Sequence, residues 1–364
     1  MAPLHFLERL RVGRSEPVAT GPAITPASAA LLSVLFTVIY VVPFYLSKST
    51  RPSQTLHRDA PSVIRARIRA VTSSCIICTM ITLYILAQSA HDSFLDALHH
   101  LGWWPISIPD IIKVMLLLCV LFAGPLFENG IVDGDWRDWI VGRHVNETFS
   151  SWIGWRNYVA GPTTEELIWR SLIIPLHLSA HVSPTKTVFV TPLYFGIAHV
   201  HHFYEFRITH PHTPVAAGAA RSLFQFAYTS LFGFLAAFVY VRTASLPAVV
   251  LAHAFCNWMG LPRLWGRVGN STGPSRSYAP SSSLSSSTSA AAEAGPIGPV
   301  AGGEGKRADG GGGGGLWTPA AARGGDHVGW TVAYYALLVG GAVGFWWLLW
   351  PLTESENALA GFAA

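Results

Sequence analysis

The sequence predicts an all-α, polytopic membrane protein, a bundle of about eight transmembrane helices. Three observations carry that expectation. Charged residues make up 12% of the 364, about half of the roughly 25% usual in soluble chains. Mean hydropathy is positive at +0.37. Eight apolar runs, at 29–47, 70–90, 110–127, 167–180, 186–203, 219–241, 245–261 and 328–350, approach the ~20 residues that span hydrocarbon. Two of these, 167–180 and 245–261, are short enough to be partial spans. Lipid offers backbone groups no water, so the runs should be helical, and the alternating pattern of a lipid-facing barrel is absent.

Residues 1–28 read as an N-terminal tail. It carries Glu8, Arg9, Arg11, Arg14 and Glu16 ahead of a first apolar run too long for a signal-peptide core, so that run reads as an uncleaved anchor. Residues 29–127 hold the N-terminal transmembrane helices. Cys75 and Cys78 have the spacing of a redox or zinc pair, but all four cysteines, with Cys119 and Cys256, lie in apolar runs and read as small packed hydrophobes. The segment 48–69 holds Lys48, Arg51, Arg58, Arg65, Arg67 and Arg69, whereas 91–109 has no Lys or Arg. By the positive-inside rule the former should be cytoplasmic, although Arg9, Arg11 and Arg14 oppose this.

Residues 128–262 form the membrane core that carries the polar motifs. Its first part, 128–162, has Trp136, Trp139, Trp152 and Trp155 among charged residues and glycines, a composition suited to the headgroup layer. Residues 263–327 are rich in Gly, Ser, Ala and Pro, with six glycines at 310–315, and read as a disordered loop without a catalytic role. The final span, 328–350, contains Gly340 and Gly344 in a small-xxx-small pattern that fits packing within the chain as well as dimerisation. A tail, 351–364, follows. A net charge of +4, with no basic array interleaved with aromatics, gives no sign of a nucleic-acid partner.

Ionisable groups are expensive in a bilayer and usually mark function. Three motifs place them there: Glu165-Glu166-Leu-Ile-Trp-Arg170, Phe195-Gly-Ile-Ala-His199 and His253-Ala-Phe-Cys-Asn257. Pro162-Thr163-Thr164 reads as a helix start just before the carboxylates. Glu166 and Arg170 share a helix face and should form a salt bridge, while Glu165 points about 100° away and stays free. His199 should sit over Phe195, one turn earlier. His253 and Asn257 are one turn apart, so their N–H groups could converge on one oxygen. Alternation of the spans brings Glu165, His199, His253 and Asn257 to the cytoplasmic half of one bundle. These are the parts for amide hydrolysis: Glu165 and His199 on a water, His253 and Asn257 on the oxyanion. A serine nucleophile fits less well, since no Gly-x-Ser-x-Gly elbow occurs and Ser171 has no evident base.

In order and separation the three motifs resemble the signature of the type II CAAX prenyl endopeptidases, intramembrane glutamic proteases, over about 155–260. The resemblance implies removal of the last three residues from prenylated cytoplasmic proteins, such as Ras-like GTPases or a fungal mating pheromone precursor. It implies a multi-pass protein of the endoplasmic reticulum membrane with its site facing the cytoplasm. It also implies a water activated by Glu165 and His199 without an obligatory metal or other cofactor, and an oxyanion held by His253 and Asn257. Which of Arg170, Arg207 and Arg221 receives the substrate's terminal carboxylate is left open.

Two other readings compete. A zinc peptidase could use Glu165, His199, His202 and His253 as ligands, but the His-Glu-x-x-His motif is absent. A transporter or scaffold could line a polar path with the same groups, but no convincing internal repeat supports it.

Overall fold

The computed structural model describes residues 24–53, 58–87, 93–269 and 327–362, and within them every regular element is helical. The N-terminal tail before residue 24 and most of the low-complexity segment, 270–326, lie outside the described residues.

The first helix, α1 (Pro26–Val41), starts at Thr25, whose hydroxyl accepts the Ser28 N–H, with Pro26 at a position where its missing N–H costs nothing. With the short turn that follows it makes a span, Pro26–Leu46. The second, α2 (Pro61–Ala87), begins nine residues before the apolar run at 70–90, so Arg65, Arg67 and Arg69 lie on its first turns and not in a loop. The run at 110–127 is not straight: α3 (Ile108–Leu121) gives way at Phe122 to Ala123–Val132, bent by 79°.

The helix carrying the carboxylates does not start near Thr164, as Pro162-Thr163-Thr164 suggested. A helical path begins at Trp152, where Ser151 caps the Gly154 N–H, and runs through π-helical Arg156–Ala160 into α4 (Gly161–Glu166). The wide turn explains how Pro162 is tolerated. The Gly161 N–H reaches back five residues to the Arg156 carbonyl, which leaves slack where proline can donate nothing. A Cβ at Gly161 would lie 2.8 Å from that carbonyl oxygen, so a side chain there would force the turn open. Thr164 caps nothing; its hydroxyl donates back to the Ala160 carbonyl at 2.7 Å. A second π-helical stretch, Leu167–Leu172, leads into α5 (Ile173–Ser179).

The apolar run 186–203 is likewise two helices. α6 (Pro184–Ala198) ends with His199 as its C-cap, and α7 (His201–Thr209) follows after a turn. Then come α8 (Val215–Thr243), α9 (Leu246–Met259) and α10 (His327–Leu348). Among the described residues, four helices are long and apolar enough to cross a membrane, five if the bent pair is one span. The protein is a multi-pass helical membrane bundle, and the count of eight full spans is not reached by length.

Inside lipid, helices associate through packing and polar contacts, without the hydrophobic drive available in water. The contact of α6 with α8 uses small residues accordingly. A Cβ on Gly196 would come 2.4 Å from Ser230 Oγ, and one on Gly233 2.7 Å from Pro192 Cβ. Either addition would separate the helices that bring Phe195, His199 and Phe232 to the site.

The bundle has two distinct ends. At one, Tyr45 donates to the His201 carbonyl, Arg67 pairs with Glu205, Arg156 with Asp59 and Arg263 with Glu128. At the other, Tyr240 donates to the His100 carbonyl, the Leu246 N–H to Gly102, and residues 350–362 fold across the helix ends. Residues 263–269, which the composition placed at the start of the low-complexity loop, pack on α10: the Arg263 and Val268 N–H groups donate to Tyr334 and Thr331. Cys75 and Cys78 are free and buried between helices, with Cys75 Sγ facing the Thr164 carbonyl.

Candidate active site

Glu166 is fully buried, and its Oε1 accepts from Arg170 Nη1 at 3.0 Å and from His253 Nδ1 at 2.7 Å. The four-residue spacing brings the first contact, and the close approach of α4 to α9 brings the second. The rest of the Arg170 guanidinium is covered by rings, 4.6 Å from the Phe195 centroid and 5.5 Å from that of Phe232. Glu166, Arg170 and Phe195 thus form a buried support, in which Glu166 Oε2 and Arg170 Nη2 have no hydrogen-bond partner among the described residues.

Glu165, on the next position of the same helix, is not part of it. Its carboxylate is partly exposed and lies 3.8 Å from His253 Nε2, the nitrogen that Glu166 leaves free. His253 packs on Phe232 at 4.8 Å and on Phe195 at 6.3 Å. The ring is therefore held by two aromatic neighbours and at one nitrogen.

His199 meets the other side of Phe195, edge to face at 4.6 Å. Its Nδ1 lies 2.8 Å from the Phe195 carbonyl. A carbonyl only accepts, so Nδ1 carries the proton and Nε2 of the neutral ring presents a lone pair. The same reasoning applied to His253 has a consequence for chemistry. Nδ1 donates to a carboxylate, so donation from Nε2 to a third group requires the doubly protonated ring.

Asn257 lies one turn beyond His253 but is exposed, and its Nδ2 donates to the Asn157 carbonyl at 2.9 Å. One of its two N–H groups is thereby engaged. The structure brings Glu165, Glu166, Arg170, Phe195, His199 and His253 into one cluster and leaves Asn257 at its rim.

Several neighbours were not singled out from sequence. Phe232 and Tyr228 lie four apart on α8, in a run that reads as ordinary lipid-facing sequence; Tyr228 lies within electrostatic range of Glu165. Tyr40 donates to or accepts from Thr164 at 3.0 Å and packs on Trp169 at 4.9 Å, behind the carboxylates. Glu205 is buried beside His202, with Arg67 at 2.8 Å and Arg58 at 3.9 Å. Burial would raise its carboxyl, yet the His202 hydrogen bond and the two guanidiniums outweigh that and hold it well below the usual carboxylate range. A charged residue next to a histidine run was the available signal.

The zinc reading grouped Glu165, His199, His202 and His253. The described residues instead bring His201, His202 and Glu205 within 4.8 Å of one another. In that group Glu205 is already engaged by Arg67 and His202, and His201 Nδ1 by the Ala198 carbonyl. Ser171 hydrogen-bonds Trp103 Nε1 and the Leu101 carbonyl, so it serves the scaffold.

Fold and site together define a multi-pass membrane protein holding the parts of a hydrolase. The family described as Type II CAAX prenyl endopeptidase Rce1-like matches residues 147–259, the stretch that contains all three motifs. Among curated proteins, the Probable CAAX prenyl protease 2 of Schizosaccharomyces pombe is 38% identical over 240 residues, 66% of this chain and 83% of that protein. The CAAX prenyl protease 2 of Homo sapiens is 33% identical over 235 residues, 61% of this chain and 68% of the human protein. That of Saccharomyces cerevisiae is 29% identical over 258 residues, 65% and 80% of the two chains. No solved structure matches. The chain belongs to the type II CAAX prenyl endopeptidase family.

Proposed function

We propose that the protein is an intramembrane endopeptidase that removes the C-terminal aaX tripeptide from prenylated CAAX proteins, with Ras-like GTPases and a mating pheromone precursor as substrates. The relatives' shared name supports the substrate class. The observation that carries the chemistry is the asymmetry of the two glutamates. Glu166 is locked between Arg170 and His253, while Glu165 faces His253 Nε2 at 3.8 Å with no closer partner among the described residues.

Glu165 takes a proton from a water that the His199 Nε2 lone pair helps to orient. The oxygen attacks the carbonyl of the prenylated cysteine. His253, doubly protonated, donates from Nε2 to the oxyanion, assisted by the remaining Asn257 N–H. Glu165 then passes its proton to the departing amine as the peptide bond breaks. Water activation by a carboxylate needs no metal, so cleavage should persist after exhaustive chelation. Loss of activity on chelation, restored by zinc, would favour the zinc reading.

The site-bearing end faces the cytoplasm of the endoplasmic reticulum membrane in this reading, since α2's first turns place Arg65, Arg67 and Arg69 there. Asn146, in the acceptor sequence Asn146-Glu-Thr148 on the exposed helix Arg143–Ser150, should then carry no glycan. A glycan on it would reverse the orientation. The second such sequence, Asn270-Ser-Thr272, lies outside the described residues.

The deciding experiment is cleavage of a prenylated CAAX peptide by the purified protein, alongside the same peptide without lipid. Release of the tripeptide from the prenylated form alone is the expected result. Cleavage of neither would end the peptidase reading.

A further inference from the structure

Four arginines cluster at the site-bearing end of the bundle, and their partners are unequal. Arg67 reaches Glu205 at 2.8 Å and Arg156 reaches Asp59 at 2.7 Å. Arg58 lies 3.9 Å from both of those carboxylates, and its Nε is buried with no hydrogen-bond partner. Arg221 makes no ion pair among the described residues. Its guanidinium lies 4.8 Å over the Phe206 ring and within electrostatic range of Arg58, Tyr228 and Glu205. Stacking engages the face of a guanidinium and leaves its in-plane N–H fork for a carboxylate. This cluster therefore sets four guanidiniums against the two carboxylates of Asp59 and Glu205 in a half-buried setting, with Arg58 sharing both acids at 3.9 Å and Arg221 in no ion pair among the described residues.

Helix α8 connects that place to the reacting groups. Arg221, Tyr228 and Phe232 are spaced seven and four apart and share one face. Phe232 packs on His253, and Tyr228 lies within electrostatic range of both Glu165 and Arg221. Along the helix axis Arg221 stands ~10 Å from Tyr228 and ~16 Å from Phe232. Three extended residues cover ~10–11 Å, the separation of a chain-end carboxylate from a bond three residues inward. That reach matches the ~10 Å along the axis from Arg221 to Tyr228, which lies within electrostatic range of Glu165.

Building on the proposed peptidase activity, we infer that Arg221, with Arg58 beside it, binds the free C-terminal carboxylate of the substrate and so sets the cut three residues from the chain end. The pair acts as a ruler. It rejects a chain that continues past the binding point, because no carboxylate then meets the fork.

The test compares a prenylated CAAX peptide ending in a free carboxylate with the same peptide ending in an amide. The enzymes are the wild type, R221Q, R221K and R58Q, each checked for folding by thermal unfolding in detergent. The wild type should favour the acid by about tenfold or more in kcat/KM, mostly through KM, as expected for loss of a charge-assisted hydrogen bond. R221Q should bring that ratio toward one, and R58Q and R221K to intermediate values. Equal cleavage of acid and amide by the wild type would overturn the inference. So would a ratio in R221Q that matches wild type, including the case where both peptides suffer equally and only in anionic bilayers, which would assign the arginines to lipid headgroups. Should R221Q not fold, unchanged ratios in both R58Q and R221K overturn it equally. If the wild type cleaves neither peptide, the peptidase reading itself has failed and this inference falls with it.

Discussion

The two ends of the bundle use their polar side chains differently. At the end closed by residues 350–362, several polar side chains meet backbone or one another. Arg242 donates to the Trp350 carbonyl and to Thr353, Lys113 to the Glu354 carbonyl, and Ser355 to Asp110 at 2.7 Å. At the opposite end the imidazoles of His199 and His253 are each held at Nδ1 with Nε2 left over, and Glu165 faces one of those nitrogens. Bonds at the first end finish the fold, whereas bonds at the second aim groups that remain available. Here the polar residues that face chemistry are those with one side held and an open side that is partly exposed, as for Glu165 opposite His253 Nε2.

Substitutions can break this contrast. The largest effect should come from Glu166→Ala, which leaves Arg170 and His253 without their shared acceptor. Removing one member of a buried ion pair costs roughly 3–5 kcal/mol, visible as a lower melting temperature, and turnover should fall because His253 loses its tether. Adding Arg170→Ala should restore much of the stability. Next, His253→Ala should lower kcat by about 10²–10³-fold, the loss typical of one oxyanion donor, and should lower the melting temperature by less than Glu166→Ala, since Arg170 still holds Glu166. Asn257→Ala should cost less, about tenfold in kcat, because its side chain is exposed and one N–H already serves the Asn157 carbonyl. Smallest at the site is the effect of Ser355→Ala, at the opposite end: it should remove about 0.5–1.5 kcal/mol of stability and leave kcat/KM within about twofold. A large kcat loss in Ser355→Ala with normal melting would mean that the two ends are not separate in function.

Spacing made much of the site legible. A four-residue interval fixes a shared helix face, so the pairing of Glu166 with Arg170 and the stacking of His199 on Phe195 follow from position alone. The π-helical turns at Arg156–Ala160 and Leu167–Leu172 do not, because one extra residue in a turn leaves no periodic trace in an apolar run. They turned an expected helix start at Thr164 into the interior of a longer helical path. The pairing of Arg67 with Glu205 spans 138 positions, and nothing local in either segment specifies it. Length misled in the other direction at 186–203, where continuous hydrophobicity hides the turn after Ala198 that gives His199 its place at a helix end.

The central claim is that the adjacent carboxylates divide the labour, with Glu165 on the water and Glu166 in the support. The most direct measurement is kcat for a prenylated CAAX peptide, taken together with thermal unfolding, on purified Glu165→Gln and Glu166→Gln. Glu165→Gln should melt close to wild type and lose about 10²–10⁴-fold in kcat, the contribution typical of a positioned general base, while Glu166→Gln should lose stability first and activity as a consequence. A well-folded Glu166→Gln without activity, beside a Glu165→Gln that still turns over, would contradict the account and make the second glutamate the base.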